Sequence, residues 1–400
     1  MSAIATVLLK EVASFIRGIT FKPDDVVRVG SDGSVACMRT KNVQSELDLS
    51  DVWGVSESLV KRDDQYLVAG DLLVSSANSW NLVGKCCWVP VLPWRATFGG
   101  FISVLRGNSA KVDPRYLYHW FSSPRIQSTV RSFGQQTTNI SNLNIDRCLR
   151  LPLPLPRLPE QRRIAGILDK TDALRAKRRD AIAKLDILAR SIFLDMFGDP
   201  GVNPSGYMRK QLHELVREGD SINYGVVQPG ENCEDGVPLI RVGDLQNGKV
   251  EKSRLKRISP SIEVAYKRSR LRGDEVLVSC VGSTGVIALA DESVEGFNIA
   301  RAVARVPLAD SINREFMAGY LQTEYVQRYF KSELRTVSQP TLNIKQIAEL
   351  AVVLPSFERQ REFARRVGAV GQIADRERES LSGLDTAFAT IQDSAFRGEI

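Results

Sequence analysis

Residues 151–168 read LPLPLPRLPEQRRIAGIL. Proline disfavours helix at the residue before it and cannot donate to a sheet ladder, so Pro152, Pro154 and Pro156 mark an extended stretch. Pro159 suits a helix start, with Glu160 favourable in the first turn. Residues 351–367, AVVLPSFERQREFARRV, repeat the arrangement with one proline, Pro355, and with Glu358 where Pro159 stood. The same punctuation occurs in mid-chain and near the end, so the chain reads as two copies of one plan.

A shift of 199 residues aligns Leu143-Asn144-Ile145 with Leu342-Asn343-Ile344, Pro156 with Pro355, and Gln161-Arg162 with Gln360-Arg361. With one residue of slippage, DPRYLYHWFSSPRIQ (113–127) lies over NREFMAGYLQTEYVQ (313–327), and GDLLVSSANSW (70–80) resembles GDEVLVSCVGS (273–283). Such drift is what loop insertions between diverged copies produce, and a long internal repeat decides the architecture. Each copy opens with about 150 residues of short β-type runs bounded by Gly, Asn, Asp and Pro, and carries one shorter helical stretch near 113–132 or 313–332.

Each copy closes on a long helix. Apolar or small residues recur at Ile164, Leu168, Thr171, Leu174, Ile182, Leu185, Leu188, Ile192 and Met196, alternating threes and fours. Phe363, Val367, Val370, Ile373, Leu381, Leu384, Phe388, Ile391 and Ala395 repeat the spacing, which is that of a coiled-coil seam. Some 37 residues at about 1.5 Å each make a helix roughly 55 Å long, beyond the usual 8–20 residues of a globular helix. Chain order suggests an antiparallel pair, with the one polar break in each seam, Arg178 and Glu377, facing at the centre to fix register. The expected fold is mixed α+β: strand-rich domains at 1–150 and 201–350 in pseudo-two-fold tandem, with helical spacers at 151–200 and 351–400.

The 400 residues exceed one ordinary core, and 54 Lys+Arg against 47 Asp+Glu leave a net charge of +7. That balance permits a polyanionic partner without requiring one. Cys37, Cys86, Cys87, Cys148, Cys233 and Cys280 contain no CxxC pair, and His119 and His213 are the only histidines, which argues against zinc. The N-terminal MSAIATVLLKEV lacks a basic lead, and no run of about 18 apolar residues occurs. A cytoplasmic chain with reduced thiols and no membrane partner is expected.

The segments Pro156-x-x-Pro159-Glu160-Gln161-Arg162-Arg163-Ile164 and Phe197-Gly198-Asp199-Pro200, with the tandem plan, resemble the specificity (S) subunit of type I restriction-modification enzymes. The resemblance covers essentially the whole chain. It implies two target-recognition domains that each read one half of a bipartite, asymmetric site on double-stranded DNA. It also implies helices that set the spacing and dock two modification (methyltransferase) subunits, with Gln161, Arg162, Arg178, Gln360, Arg361 and Glu377 as candidate spacer and partner residues. The second copy departs from the fuller pattern, with Arg359 for Glu160 and Glu362 for Arg163. No cofactor is implied in this chain; S-adenosylmethionine and ATP with Mg would be used by the modification subunits and by restriction (endonuclease/translocase) subunits. Half-sites about one helical turn apart, roughly 34 Å, need readers held at fixed separation, which a stiff helix provides.

Candidate readers follow from side-chain chemistry. SFGQQTTNISNLNI (132–145) is polar and uncharged, and amides suit bidentate contact with adenine, which points to Gln135, Gln136, Thr137 and Asn139. Its copy ELRTVSQPTLNI (333–344) offers Arg335, Thr336, Ser338 and Gln339. A solvated connection to the helix explains such loops equally well. The small-polar turns SSANSWN (75–81) and SCVGSTG (279–285) add Asn78, Trp80, Ser283 and Thr284, although Trp80 fits a partly core position better than a DNA wedge. Asn298, Arg301 and Arg305 stand at strand-like spacing, where the arginines could neutralise phosphates or form an exposed edge. Residues 157–197 hold ten basic and six acidic side chains, a pattern commoner on a solvated or docking face than on a DNA strip.

Enzyme motifs are missing from the sequence. NPSGY (203–207) lacks the second proline of an amino-methyltransferase motif, VGSTG is no dinucleotide loop, and no phosphate loop or nucleophile set appears. The chain is therefore expected to be non-catalytic. The alternative is a two-domain binding scaffold for protein partners around a helical spacer; a self-contained methyltransferase or nuclease is disfavoured.

Overall fold

The computed structural model describes residues 4–136, 140–336, 340–397 and 399. They divide into two compact units, Met1–Arg178 with Ser380–Ile400, and Arg179–Glu379. The division passes through both long helices, so each unit holds one strand-rich domain and half of each helix.

In the first unit a four-stranded antiparallel sheet runs in the order Ala13–Arg17, Ile102–Gly107, Leu72–Ser75, Cys86–Trp88. A second sheet orders Val26–Val27, Trp53–Ser56, Ser34–Met38 and Ala96–Phe98. The second unit repeats the first sheet as Asn223–Tyr224, Val303–Val306, Val276–Ser279, Ile287–Leu289. Leu72 pairs with Trp88 as Val276 pairs with Leu289, which fixes the correspondence between copies. The repeated GD stretches are thus the central strands, their side chains buried throughout.

The expected single helix of each domain is two: α1 (Pro114–Phe121) and α2 (Pro124–Ser132) in the first. The break falls at Ser122-Ser123, because Pro124 cannot supply an interior helix donor and instead takes the first position of a new helix. Asp113 caps α1 through its carboxylate on the amides of Arg115 and Tyr116. The long helices are α3 (Leu158–Phe197) and α6 (Phe357–Arg397), and between them lie α4 (Arg314–Leu321) and α5 (Glu324–Ser332).

The proline stretch has a specific geometry. Pro152–Pro154 pairs antiparallel with Thr6–Leu8, and the amide of Leu155 donates to Ala5 O at 2.8 Å. The residues whose N–H groups face the neighbouring strand are leucines, and the prolines occupy the alternate, outward positions where no donor is needed. Ala351–Leu354 makes the corresponding pairing with Met208–Gln211. Gly198, at φ +75°, ends α3 and packs against Pro204 so tightly that a Cβ would lie 2.3 Å from its ring.

Within each unit the helix halves run antiparallel. In the first, Arg175 meets Asp385 at 2.5 Å while Ile164 and Leu168 share a core with Ala395. In the second, Asp186 meets Arg378 at 3.2 Å while Met196 O accepts from Arg359 at 2.7 Å. The seam is not buried along its length: Leu174, Leu188 and Ile373 are about half exposed. Burial concentrates at the helix ends, where Ile164 and Leu168 enter one domain core and Phe193, Phe197 and Phe363 enter the other. The rings of Phe193, Phe197 and Phe363 lie 5.0–5.7 Å apart, edge-on or tilted, each pair adding about 0.5–1.5 kcal/mol beyond area burial.

Candidate nucleic-acid interface

Two sequence-distant segments meet in the first unit. Gly134–Gln136 pairs with Ser141–Leu143, which pairs in turn with Ala77–Asn78. Gln135 lies directly opposite Asn142, and both amides are exposed on the same face. Asn78 lies opposite Ser141 and is braced by its Nδ2 donating to Ser75 Oγ at 3.1 Å. Trp80 covers Gly134, where a Cβ would come within 3.2 Å of the indole, and the ring remains 45% exposed. Its position keeps an aromatic edge beside the hairpin.

The second unit assembles the matching pieces. Arg335–Thr336 pairs with Pro340–Thr341, and Thr341 bridges Val281 at the head of the 282–285 turn. Gly282 N donates to Pro340 O at 3.3 Å. The buried Ser279 hydroxyl holds this turn, donating to Ser283 O at 2.5 Å and accepting from Val286 N at 2.8 Å. Ser283 is exposed and Thr284 half-buried. Thr137, Asn139, Ser338 and Gln339 lie outside the described residues, as do the side chains of Gln136, Arg335 and Thr336.

Arg301 is exposed at the edge of this group, its amide donating to Val226 O while Ala302 O accepts from Cys280 N. Asn298 and Arg305 are corrections to the sequence reading. Asn298 is fully buried; its Oδ1 accepts from Ser269 Oγ at 2.7 Å and its Nδ2 donates to Tyr266 O at 3.0 Å. It also borders Glu263, whose carboxyl the Arg270 guanidinium holds below the usual carboxylate range. Arg305 is buried with two carboxylates, Asp220 and Glu275. Strand spacing gave their alternation but not which face was covered.

Phe101 was missed by the sequence reading. It is 62% exposed, and its carbonyl accepts from Ser76 and Ala77, which places it beside the first hairpin. Parallel bridges Ile19 to Gly99 and Val226 to Ala300 make Gly100-Phe101 the counterpart of Arg301-Ala302. The signal was an aromatic after the Gly99-Gly100 turn in ATFGGF.

The partner candidates on the helices divide as well. Gln161 and Gln360 are buried, which corrects their assignment to docking. Gln161 Oε1 accepts from Asp113 N at 2.7 Å and its Nε2 donates to Pro156 O at 2.8 Å. Gln360 repeats both bonds with Asn313 N at 2.9 Å and Pro355 O at 3.0 Å. Arg162 and Arg361 are exposed, Arg162 lying 3.9 Å from the Asp113 carboxylate. Arg178 closes the first unit's part of α3 and Glu377 lies in the second unit's part of α6.

Four of the six cysteines are buried. Burial pushes Cys37, Cys87, Cys148 and Cys280 up to about 12, so they stay protonated near neutrality. Among the described residues no group of three or more His, Cys, Asp or Glu is placed to hold a metal, and no helix is long and apolar enough to cross a membrane.

Comparison with known proteins gives one consistent answer. The family model of the type I restriction modification DNA specificity domain matches twice, over residues 1–184 and 204–382. The chain is 30% identical over 360 residues to the type I restriction enzyme EcoBI specificity subunit of Escherichia coli, covering 82% of this chain and 73% of that protein. It is 25% identical to the StySPI specificity subunit of Salmonella potsdam, over 99% and 89% of the two chains. The type I restriction-modification S subunit from M. genitalium has the same fold, with a TM-score of 0.56 over 98% of this chain and 96% of that one at 17% identity. A chain from a structure concerning complex assembly and conformational transition of the type I R-M system gives 0.52, over 100% and 99% of the two chains at 18% identity. The chain belongs to the type I restriction modification DNA specificity family.

Proposed function

We propose that this chain is the DNA sequence-specificity subunit of a type I restriction-modification complex, each strand-rich domain reading one half of a bipartite site. The carrying observation is one framework bearing different chemistry at equivalent positions. Gln135 pairs with Asn142 in the first hairpin and Arg335 with Thr341 in the second, and Gly100-Phe101 is replaced by Arg301-Ala302. Different side chains in a repeated frame meet different base edges, and so specify an asymmetric sequence.

The target-recognition domains are 1–150 and 201–350, with helical spacers at 151–200 and 351–400. Helices of 40 and 41 residues, about 60 Å at 1.5 Å per residue, exceed the roughly 34 Å between half-sites one turn apart. The chain itself is non-catalytic and cytoplasmic. Two modification subunits dock on its helices and supply methyl transfer from S-adenosylmethionine; restriction subunits supply ATP- and Mg-dependent chemistry. Arg162, Arg361, Arg178 and Glu377 belong to this spacer and docking face.

The test is to express the chain with its modification subunit and map methylated genomic motifs. A single bipartite motif is expected, and an active complex that leaves no bipartite motif would contradict the reading. Methyl transfer by the isolated chain would contradict the non-catalytic assignment.

A further inference from the structure

One short turn carries different charge in the two units, and backbone bonds fix the correspondence. Ile19 N donates to Phe98 O as Val226 N donates to Ile299 O, and two residues earlier Ala96 O accepts from Leu67 N as Phe297 O accepts from Leu271 N. Leu67 and Leu271 thus hold one position of the repeat. Counted back from them, Asp63-Asp64 of the first unit stand where Lys267-Arg268 stand in the second. The stretch 61–68, KRDDQYLV, holds two basic and two acidic side chains, whereas its counterpart 265–272, AYKRSRLR, holds four basic and none acidic.

Lys267 and Arg268 are exposed on the turn Val264–Ser269. Among the described residues neither makes an ion pair. Glu263 beside them is buried and bonded by Arg270 at 2.7 Å. Arg272 shares a recess with Asp291 and Glu292, so the uncompensated charge of the stretch rests on Lys267 and Arg268. In the first unit Asp63 and Asp64 are exposed as well, and Arg62 pairs with Asp64 at 2.9 Å.

The turn adjoins the edge that carries Arg301. Asn223 Nδ2 donates to Arg268 O at 3.2 Å, and three residues on, Val226 O accepts from Arg301 N at 2.8 Å. Three residues of chain span at most about 10 Å, and Asn223-Tyr224-Gly225-Val226 carry no charge of their own. A duplex bears one phosphate per about 1.7 Å of axis, so one touched at Arg301 also presents phosphates to Lys267 and Arg268. In the first unit Gln65 Nε2 makes the corresponding tie, to Arg17 O at 3.1 Å. There Gly100 takes the place of Arg301, so the edge and the turn lose their cations together.

A solvated turn tolerates charge of either sign. Cations at the turn and at the adjoining edge in one copy, with carboxylates and glycine in the other, instead match a polyanion gripped by one copy only. We infer that Lys267 and Arg268 hold the DNA backbone beside the second domain's half-site, and that Asp63 and Asp64 deny the first domain this grip, so that the two halves of one site are held unequally. This inference rests on the DNA-reading role proposed above.

The test uses the full chain assembled with its modification subunit and measures affinity for a random-sequence duplex of about 40 bp between about 50 and 200 mM KCl. Lys267→Gln/Arg268→Gln should make the slope of log affinity against log salt shallower by about 2, and Lys267→Arg/Arg268→Lys should keep the wild-type slope. Asp63→Lys/Asp64→Arg should steepen it by about 2, a gain that misfolding cannot imitate. A wild-type slope in the glutamine variant would overturn the grip assigned to the second domain, and a wild-type slope in the Asp63→Lys/Asp64→Arg variant would overturn the inequality. Loss of the modification subunit by the glutamine variant, with its slope unchanged, would assign the cations to a protein partner and overturn the inference. A wild-type complex that binds no duplex even at the lowest salt would instead overturn the DNA-reading role itself.

Discussion

Gln161 Oε1 accepts the backbone N–H of Asp113 at 2.7 Å, tying the start of a long helix to the cap of a short one. Its Nε2 reaches the carbonyls of Pro156 and Lys111, at 2.8 and 3.2 Å. One buried amide thus joins the domain, the proline exit and the spacer. Gln360 makes the equivalent joint with Asn313 and Pro355. A recognition domain whose orientation relative to its helix varied could not present fixed base contacts, so this joint links fold to reading.

Replacing Gln161 by Ala orphans buried partners and should cost about 2 kcal/mol, measured as a lowered urea midpoint. Gln161→Glu should be worse at neutral pH, because a second carboxylate oxygen would face the carbonyls of Pro156 and Lys111. Gln360→Ala should show a similar loss.

Acid should loosen the first unit through Asp169. Burial alone would raise this carboxyl, but His119 and Arg115 outweigh it and hold the group at about 2. A depressed folded-state value means the contribution is complete above the usual carboxylate range and is lost as pH falls through about 4 to 2. Asp169→Asn should flatten the stability-versus-pH curve in that window, as followed by circular dichroism.

Asn298 and Gln135 should behave oppositely. Asn298→Ala leaves Ser269 and Tyr266 without their buried partner and should cost about 2–3 kcal/mol with the methylated motif unchanged. Gln135→Ala, at an exposed position, should leave stability within about 0.5 kcal/mol but relax base preference in one half-site by about 1–3 kcal/mol. Motif mapping together with melting curves checks both.

Arg301 and Arg305 separate in the same way. Arg301→Ala should lower the salt dependence of DNA binding by about one phosphate contact. Arg305→Met strands Asp220 and Glu275 in the interior and should cost about 3–5 kcal/mol, read by denaturant unfolding of the full chain.

Much of the architecture was legible because a repeat displays itself by offset and a long helix by its period. Leu143 and Leu342, or Gln161 and Gln360, locate equivalent points without reference to contacts. Antiparallel pairing followed from chain order and is borne out within each unit by Arg175 with Asp385 and Asp186 with Arg378. The candidate segments at 75–81 and 132–145 converge as neighbouring strands, which proximity in sequence could not reveal. Burial was less legible: Asn298, Arg305, Gln161 and Gln360 are polar, yet each is enclosed by partners from distant segments. Conversely, Leu174 and Leu188 keep seam spacing but remain half exposed, because period reports which residues share a face and not whether that face is covered.

The most direct measurement replaces residues 1–150 with the corresponding domain of a relative that modifies a different sequence, and maps methylation by the assembled complex. One half of the bipartite motif should change while the other half and the gap remain. A change in both halves, or in neither, would contradict the assignment of one reader to each domain.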